Sequence, residues 1–261
     1  MRVVTLNLWG MCGDWPRRRA VLTEGLRRLR PDLVAFQEVI LAEAYDQAAD
    51  LLGSDFHLVQ QKARNPNGTG IAVASRWPVR GSDELDLHVT PRTAGFECGA
   101  LVVEVSAPTG PLFFANHFPN WQLSYAYERE LQTRMVADHL ESIAGDRDVI
   151  VAGDLDADPQ ASSIRFWTGR QSLDGLSVCY RDAWEARHPG EAGITYTPDN
   201  PLMSDGDWPF GRIDYVLVRC GLHGGSTLRI DACERIFDQP VDGVWASDHF
   251  GVMADLGART R

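Results

Sequence analysis

Side chains able to do chemistry recur at the ends of apolar runs in this chain. Asn7 ends the run that starts at Val3, and Gln37-Glu38 ends a second apolar run. His117 follows Leu112–Asn116, and Asp154 and Asp156 follow Asp148–Ala152. Asp214 sits inside Arg212-Ile213-Asp214-Tyr215, and Asp248-His249 precedes the last apolar run. Carboxylates gathered with an amide suit a hard divalent cation, and an Asp–His combination suits general acid–base work. Each residue alone also has a plain structural reading. Asn7 could cap a turn, Glu38 could pair with Arg30, and His117 could be a satisfied loop histidine. Asp154 to Asp158 could be a polar loop or a helix N-cap, because structural ion pairs also cluster carboxylates.

The elements that would position these residues are legible from periodicity. Val3–Leu8 reads as a strand, and Arg17–Arg30 as a helix with Leu22, Leu26 and Leu29 on one face and Pro31 as its stop. Leu33–Val39 is almost wholly apolar, as expected of a strand covered on both faces. A second helix is expected over Leu41–Leu52, ending at Gly53. Gly70–Ser75, Leu85–Val89, Ala100–Val105 and Leu112–Asn116 read as strands separated by Gly, Pro, Asp and Ser. Leu123–Ile143 is the longest helix candidate, with Tyr127, Leu131 and Met135 in one row. Strands are expected at Asp148–Ala152, Ile213–Val218 and Phe250–Leu256. The candidate residues thus fall at strand ends, where open α/β sheets build their sites.

The 261 residues carry 25 Lys plus Arg against 36 Asp plus Glu, a net charge of −11. Such a chain repels polyanions at long range, which disfavours broad basic-surface binding of nucleic acid. With 44% hydrophobic residues the composition is that of an ordinary globular protein, which excludes disordered and collagen-like classes. No linker, low-complexity tract or internal repeat appears, so one domain over residues 1–261 is expected. Cys12, Cys98, Cys179, Cys220 and Cys233 are odd in number and lack zinc spacing, which points to reduced, mostly buried thiols in a reducing compartment. The start, MRVVTLNLWG, does not read as a signal peptide, and no run of about 18 apolar residues occurs. A cytoplasmic protein with no membrane partner is expected; the oligomeric state is open.

TLNLWG, AFQEV, ANHFPN, GDLDADP, RIDYVLV and SDHFGV occur in one fixed order. That order resembles the endonuclease/exonuclease/phosphatase superfamily, whose fold is typified by deoxyribonuclease I, apurinic endonucleases and neutral sphingomyelinases. The resemblance runs from Asn7 to His249. It implies an α/β fold, a four-layer α/β/β/α sandwich of two packed mixed sheets flanked by helices, with a metal-dependent phosphoester-cleaving site at one edge. By resemblance, Glu38 is the principal carboxylate for Mg²⁺ or Mn²⁺, Asn7 orients that shell or the phosphate, and Asp248 is a second acidic position near the metal. His249 matches the base-type histidine and Asp214 the carboxylate that fixes its tautomer. His117 matches a histidine that contacts the phosphate or assists the leaving group, and Asp154 the aspartate that positions or activates the attacking water.

One position departs from the pattern. The family usually has Asn where this chain has Asp156, two residues after Asp154. An ionised Asp has no donor and repels a phosphate anion. Asp156 is therefore protonated, or binds an additional cation, or marks a site that no longer hydrolyses phosphoesters; a second cation is the preferred expectation.

The remaining signals concern the substrate. Arg17, Arg18, Arg19, Arg27, Arg28 and Arg30 crowd one helix, which reads first as a solvated face and second as a phosphate-facing patch. Trp9, Trp121 and Trp245 lie close to the motifs and either stack on a base or apolar leaving group or pack between layers. Arg129 and Gln132 are expected to support the site from behind, and Thr195–Trp208 to vary with substrate. No membrane-inserting hydrophobic hairpin is visible, which lowers a sphingomyelinase-like role. Two classes stay open. One is a hydrolase of a small or nucleotide-like phosphoester, with a nuclease as its nearest variant. The other is a non-catalytic binding member of the same fold. The presence of His117, His249, Glu38 and Asp214 together favours the hydrolase.

Overall fold

Strands covered on both faces must be apolar at every position, and that is how the first strands are written. The chain opens with β1 (Arg2–Asn7), helix α1 (Trp15–Leu29), β2 (Leu33–Ala42), the short β3 (Tyr45–Asp46), helix α2 (Gln47–Leu52), β4 (His57–Gln60) and β5 (Thr69–Ser75). The middle contributes β6 (Val79–Asp86), β7 (Gly99–Ala107), β8 (Gly110–Phe118), helix α3 (Ala126–Ala144), β9 (Asp148–Asp154) and helix α4 (Ser162–Trp167). The last third adds β10 (Tyr180–Asp182), helix α5 (Ala183–Arg187), β11 (Asp214–Arg219), β12 (Leu228–Ile236) and β13 (Gly251–Ala258). These elements come from a computed structural model, which describes residues 1–204 and 206–259.

The strands form two mixed sheets. One runs β12-β13-β1-β2-β5-β4 with β3 on the end of β2, and the other runs β10-β11-β9-β8-β7-β6. β1 and β2 are parallel, as are β8 and β9, while the remaining pairs are antiparallel. Alternate residues of each strand serve different layers. Val3, Leu33 and Ala35 meet Phe114, Ile150 and Val216 between the sheets. Val4 and Phe36 point the other way, onto Leu22 and Leu26 of α1. Phe113 and Val151 likewise pack outward onto Val136 and Leu140 of α3. The result is the four-layer α/β/β/α sandwich that the motifs imply.

The sequence reading lacks β3, β4, α4, β10 and α5, all of them short, and three other elements differ from it as follows. α2 starts at Gln47 rather than Leu41, because Leu41 and Ala42 prolong β2 into a hairpin with β3. The Leu85–Val89 strand is the end of a longer β6 that stops at Asp86. β12 went unread because a bulge between Ile230 and Ala232 breaks its two-residue alternation. No helix among the described residues is long and apolar enough to cross a membrane.

Candidate metal and phosphoester site

The expected residues converge where the ends of both sheets meet. Asn7 closes β1, Asp154 closes β9, and Asp214 opens β11 directly opposite Asp154 in the ladder. Gly153 is required by close approach, since a Cβ there would lie 2.0 Å from the His117 carbonyl oxygen. Glu38 sits in a register shift of β2 against β5 between Phe36 and Val39, in a left-handed conformation with φ 51°. A bulge of this kind re-aims a side chain, and its backbone strain is of the sort that collects at functional sites.

Asn7 is the hub. Its Nδ2 donates to Glu38 Oε1 at 2.9 Å and to Asp154 Oδ2 at 3.0 Å. Its Oδ1 accepts from the Trp9 backbone N–H at 2.9 Å, which fixes which end of the amide faces the carboxylates. In this arrangement Asn7 orients carboxylates from both sheets. Asp248 joins the group from the loop before β13. The Ser247 hydroxyl donates to the Asn7 carbonyl at 2.8 Å and stands 3.1 Å from Asp248 Oδ1. Burial, reinforced by the nearby Glu38 charge and only partly opposed by His249, pushes the Asp248 carboxyl up to about 6.

His249 lies between two carboxylates. Its Nδ1 is 3.1 Å from Asp214 Oδ2 and its Nε2 is 3.8 Å from Asp154 Oδ2. Burial works against the imidazolium, but Asp214 and Asp154 outweigh it and raise the histidine pKa well above its ordinary value. The Tyr196 ring covers the imidazole, with centroids 4.5 Å apart. Asp154, Asp214 and His249 each offer one ligand atom within 4.8 Å of the others, so this trio is itself a possible metal-binding group. Burial raises the Asp154 pKa, with the His249 charge opposing it.

Asp156 is buried beside Asp154 with φ 49°, and its backbone N–H donates to Asp154 Oδ1 at 3.2 Å. Its Oδ2 is buried without a hydrogen-bond partner among the described residues. Desolvation first and the Asp154 charge second lift its pKa well above the carboxylate range.

The structure does not bring His117 to this cleft. Along β8, Phe114, Asn116 and Phe118 face the other sheet, so His117 falls on the helix side. Its ring is fully buried, edge-on to Trp167 at 6.2 Å, and burial pushes its pKa down to about 3. Neither ring nitrogen has a hydrogen-bond partner among the described residues.

Arg18 is the residue that sequence reasoning passed over. The other arginines of α1 behave largely as a solvated face, with Arg19 paired to Asp50 and Arg27 and Arg28 to Glu24. Arg18 is buried, and donates to Leu8 O, to Cys12 O at 2.7 Å and to Ala246 O at 3.0 Å. Its guanidinium also lies 5.0 Å from the Trp9 ring centroid. It thereby ties the loop after β1 to the loop that carries Asp248. The signal was present, since Arg18 shares a helix face with Leu22 and Leu26.

A cavity of about 900 Å³ opens over the site, lined by Glu38, Asp154, Asp156, Asp248 and His249 and by aromatic side chains that include Trp9, Trp121, Tyr196 and Trp208. Trp245 lies outside it, stacked on Phe250 with centroids 5.9 Å apart. Arg129 and Gln132 are buried behind the cavity. Arg129 donates to Asn120 O and Gln122 O, and Gln132 accepts from the Asn120 backbone N–H. Thr195 is structural, its hydroxyl accepting from the backbone N–H groups of Ile213 and Asp214.

Residues 4–249 match the profile of the Endonuclease/Exonuclease/phosphatase family. No curated protein matches the sequence significantly. Among solved structures, the chain is similar to D. rerio TDP2 complexed with a single-strand DNA product. The identity is 20%, the TM-score 0.77, and 99% of each chain is covered. It is also similar to an endonuclease/exonuclease/phosphatase from Bacteroides vulgatus, at 18% identity and TM-score 0.75, covering 99% of this chain and 98% of that one. A third such protein, from Beutenbergia cavernae DSM 12333, is 22% identical with TM-score 0.69, over 99% of this chain and 71% of that one. At these identities the likeness carries the fold.

Proposed function

Because this chain belongs to the Endonuclease/Exonuclease/phosphatase family, we propose that it is a divalent-metal-dependent hydrolase of a small or nucleotide-like phosphoester. The observation that carries this reading is the charge balance of the cavity. Glu38, Asp154, Asp156 and Asp248 line it together, and among the described residues no Lys or Arg forms an ion pair with any of them. Asp156 Oδ2 and Asp214 Oδ1 are buried without partners. Carboxylates held this close, with burial raising the pKa values of Asp154, Asp156 and Asp248, fit a hard cation such as Mg²⁺ or Mn²⁺.

Glu38 and Asp248 would hold the cation, with Asn7 keeping the Glu38 and Asp154 carboxylates in place. The extra oxygen of Asp156 supports a second ion. When bound, such a cation supplies the positive charge that a phosphoester's oxygens require. The chain's own groups handle the proton. With Nδ1–H directed at Asp214, His249 presents Nε2 on the Asp154 side, the position from which its proton can pass to a leaving oxygen. Asp214 fixes that tautomer and stabilises the ring once charged. Asp154, held by Asn7 and by the Asp156 N–H, positions the attacking water beside Nε2. The odd number of cysteines, without zinc spacing, supports a reducing, cytoplasmic setting, although only Cys98 and Cys233 are buried.

A nuclease is the second reading, favoured by the single-strand DNA product in the D. rerio TDP2 complex. Hydrolysis of phosphomonoesters, phosphodiesters, single-stranded DNA and duplex DNA, each with Mg²⁺ and with Mn²⁺, tests both. Turnover that stops in excess chelator and falls in Glu38→Ala supports the hydrolase. Full activity in chelator sinks the metal-dependent reading, and no turnover of any substrate with either metal leaves a non-catalytic cleft.

A further inference from the structure

The wall of the cavity is a continuous row of rings. Trp121 and Trp208 lie with centroids 6.4 Å apart, Trp208 meets Tyr196 edge-on at 6.0 Å, and Tyr196 covers His249 at 4.5 Å. The row therefore runs from solvent to the imidazole. Trp121 is 46% exposed, so burial in a core does not account for an indole there. Its loop is nevertheless fixed from below. Buried Arg129 donates to Asn120 O at 3.0 Å and Gln122 O at 2.7 Å, on either side of Trp121. The same guanidinium lies 5.8 Å from the Phe210 ring, which in turn packs edge-on against Trp208 at 6.0 Å. One arginine thus holds both tryptophan-bearing loops. The cavity lining also contains no Lys or Arg among the described residues. A polynucleotide brings further phosphates on both sides of the cleaved one, and they would meet carboxylates and rings here instead of cations.

Resting on the hydrolase reading, we infer that the Trp121–Trp208 pair, at the open end of the row that leads through Tyr196 to His249, is a stacking platform for one flat aromatic or heteroaromatic group of a small phosphoester with a single phosphate. The ring lies along the row while the phosphate reaches the carboxylates and His249. Stacking of this kind selects a π-face and needs no hydrogen-bonding pattern.

The test uses two esters with one leaving group, thymidine 5′-(4-nitrophenyl phosphate) and ethyl 4-nitrophenyl phosphate, with Mn²⁺. Trp121→Ala and Trp208→Ala should each raise KM for the thymidine ester about five- to tenfold more than for the ethyl ester, the low end of base–aromatic stacking. Trp121→Phe should recover most of the difference. Equal effects on both esters, or cleavage of a single-stranded oligonucleotide with higher kcat/KM than the thymidine ester, would overturn the platform. A second readout separates this from failure of the hydrolase reading. Thymidine 5′-monophosphate should quench tryptophan fluorescence saturably in the wild type, and about fivefold more weakly in Trp121→Ala, whether or not any ester is cleaved. Unchanged binding in that variant rejects the platform on its own.

Discussion

Asn7, at the end of β1 in one sheet, donates its side-chain amide to Asp154, at the end of β9 in the other, across 3.0 Å. The same nitrogen reaches Glu38 at 2.9 Å, so one amide sets the spacing of two carboxylates from different sheets. Without it both would face each other with one fewer donor between them. Asn7→Ala should cost about 1–3 kcal/mol of stability in metal-free protein, as expected for stranding buried polar groups. It should also weaken metal affinity about 10- to 100-fold, the usual effect of losing an orienting partner. Urea unfolding and metal titration check the two parts, and an unchanged metal affinity would remove Asn7 from the site.

His249 and Asp214 are expected to act as one unit. Asp214→Asn and His249→Ala should each lower kcat by about 10²- to 10⁴-fold, the range for a positioned acid–base group. The double variant should be little worse than the worse single one, because neither residue serves the proton without the other. Additive losses would separate them.

For Asp156, two outcomes differ in stoichiometry. If it helps to hold a second cation, Asp156→Asn should lose one calorimetric binding site while retaining turnover of a phosphodiester. One site of equal affinity in both proteins would discard the second ion.

Arg18 links Leu8, Cys12 and Ala246 through carbonyl groups, and hydrogen bonds to a charged group each contribute about 1.5–3 kcal/mol. Arg18→Met keeps much of the stem but removes the donors. It should lower the unfolding free energy by one to two of these contributions, about 3 kcal/mol, and weaken metal binding at Asp248 through the loosened loop. Loss of stability with metal affinity intact would make Arg18 purely structural.

Alkaline pH should destabilise the fold through Tyr180. Its phenol is buried, donates to Glu141 Oε1 at 3.0 Å, and has its pKa raised well above the ordinary value by burial first and the Glu141 charge second. In the unfolded chain the phenol ionises near its usual pKa of about 10. Its contribution is thus complete below about pH 10 and is lost as pH rises beyond that. Tyr180→Phe should lower stability at pH 8 by about 1 kcal/mol for the lost hydrogen bond and make the decline between pH 10 and 12 shallower. Denaturation midpoints at pH 8 and 11 measure both, and an identical alkaline decline in the variant would clear Tyr180.

Periodicity and motif order were enough to locate most of the strands and to mark the residues at their ends. Asn7, Asp154, Asp214 and Asp248-His249 come together because strand ends in a sandwich share an edge, and a strand end is legible wherever an apolar run stops; Glu38 joins them from inside β2, at a register shift that the apolar run does not reveal. The family resemblance supplied what the runs could not, namely that two sheets pack face to face. Tertiary structure alone decided the rest. His117 carries a motif residue's type, but its place in the two-residue alternation of β8 turns it toward Trp167, and that parity depends on which face Phe114 and Phe118 bury. Arg18 reads as one of six arginines until Leu8, Cys12 and Ala246, brought together by packing, offer it their carbonyl oxygens. Trp121 is far in the chain from Tyr196 and Trp208, so no local pattern joins the three into a row. Local sequence dictates which groups an element offers and at what period, whereas the partner each group meets is set by how distant elements pack.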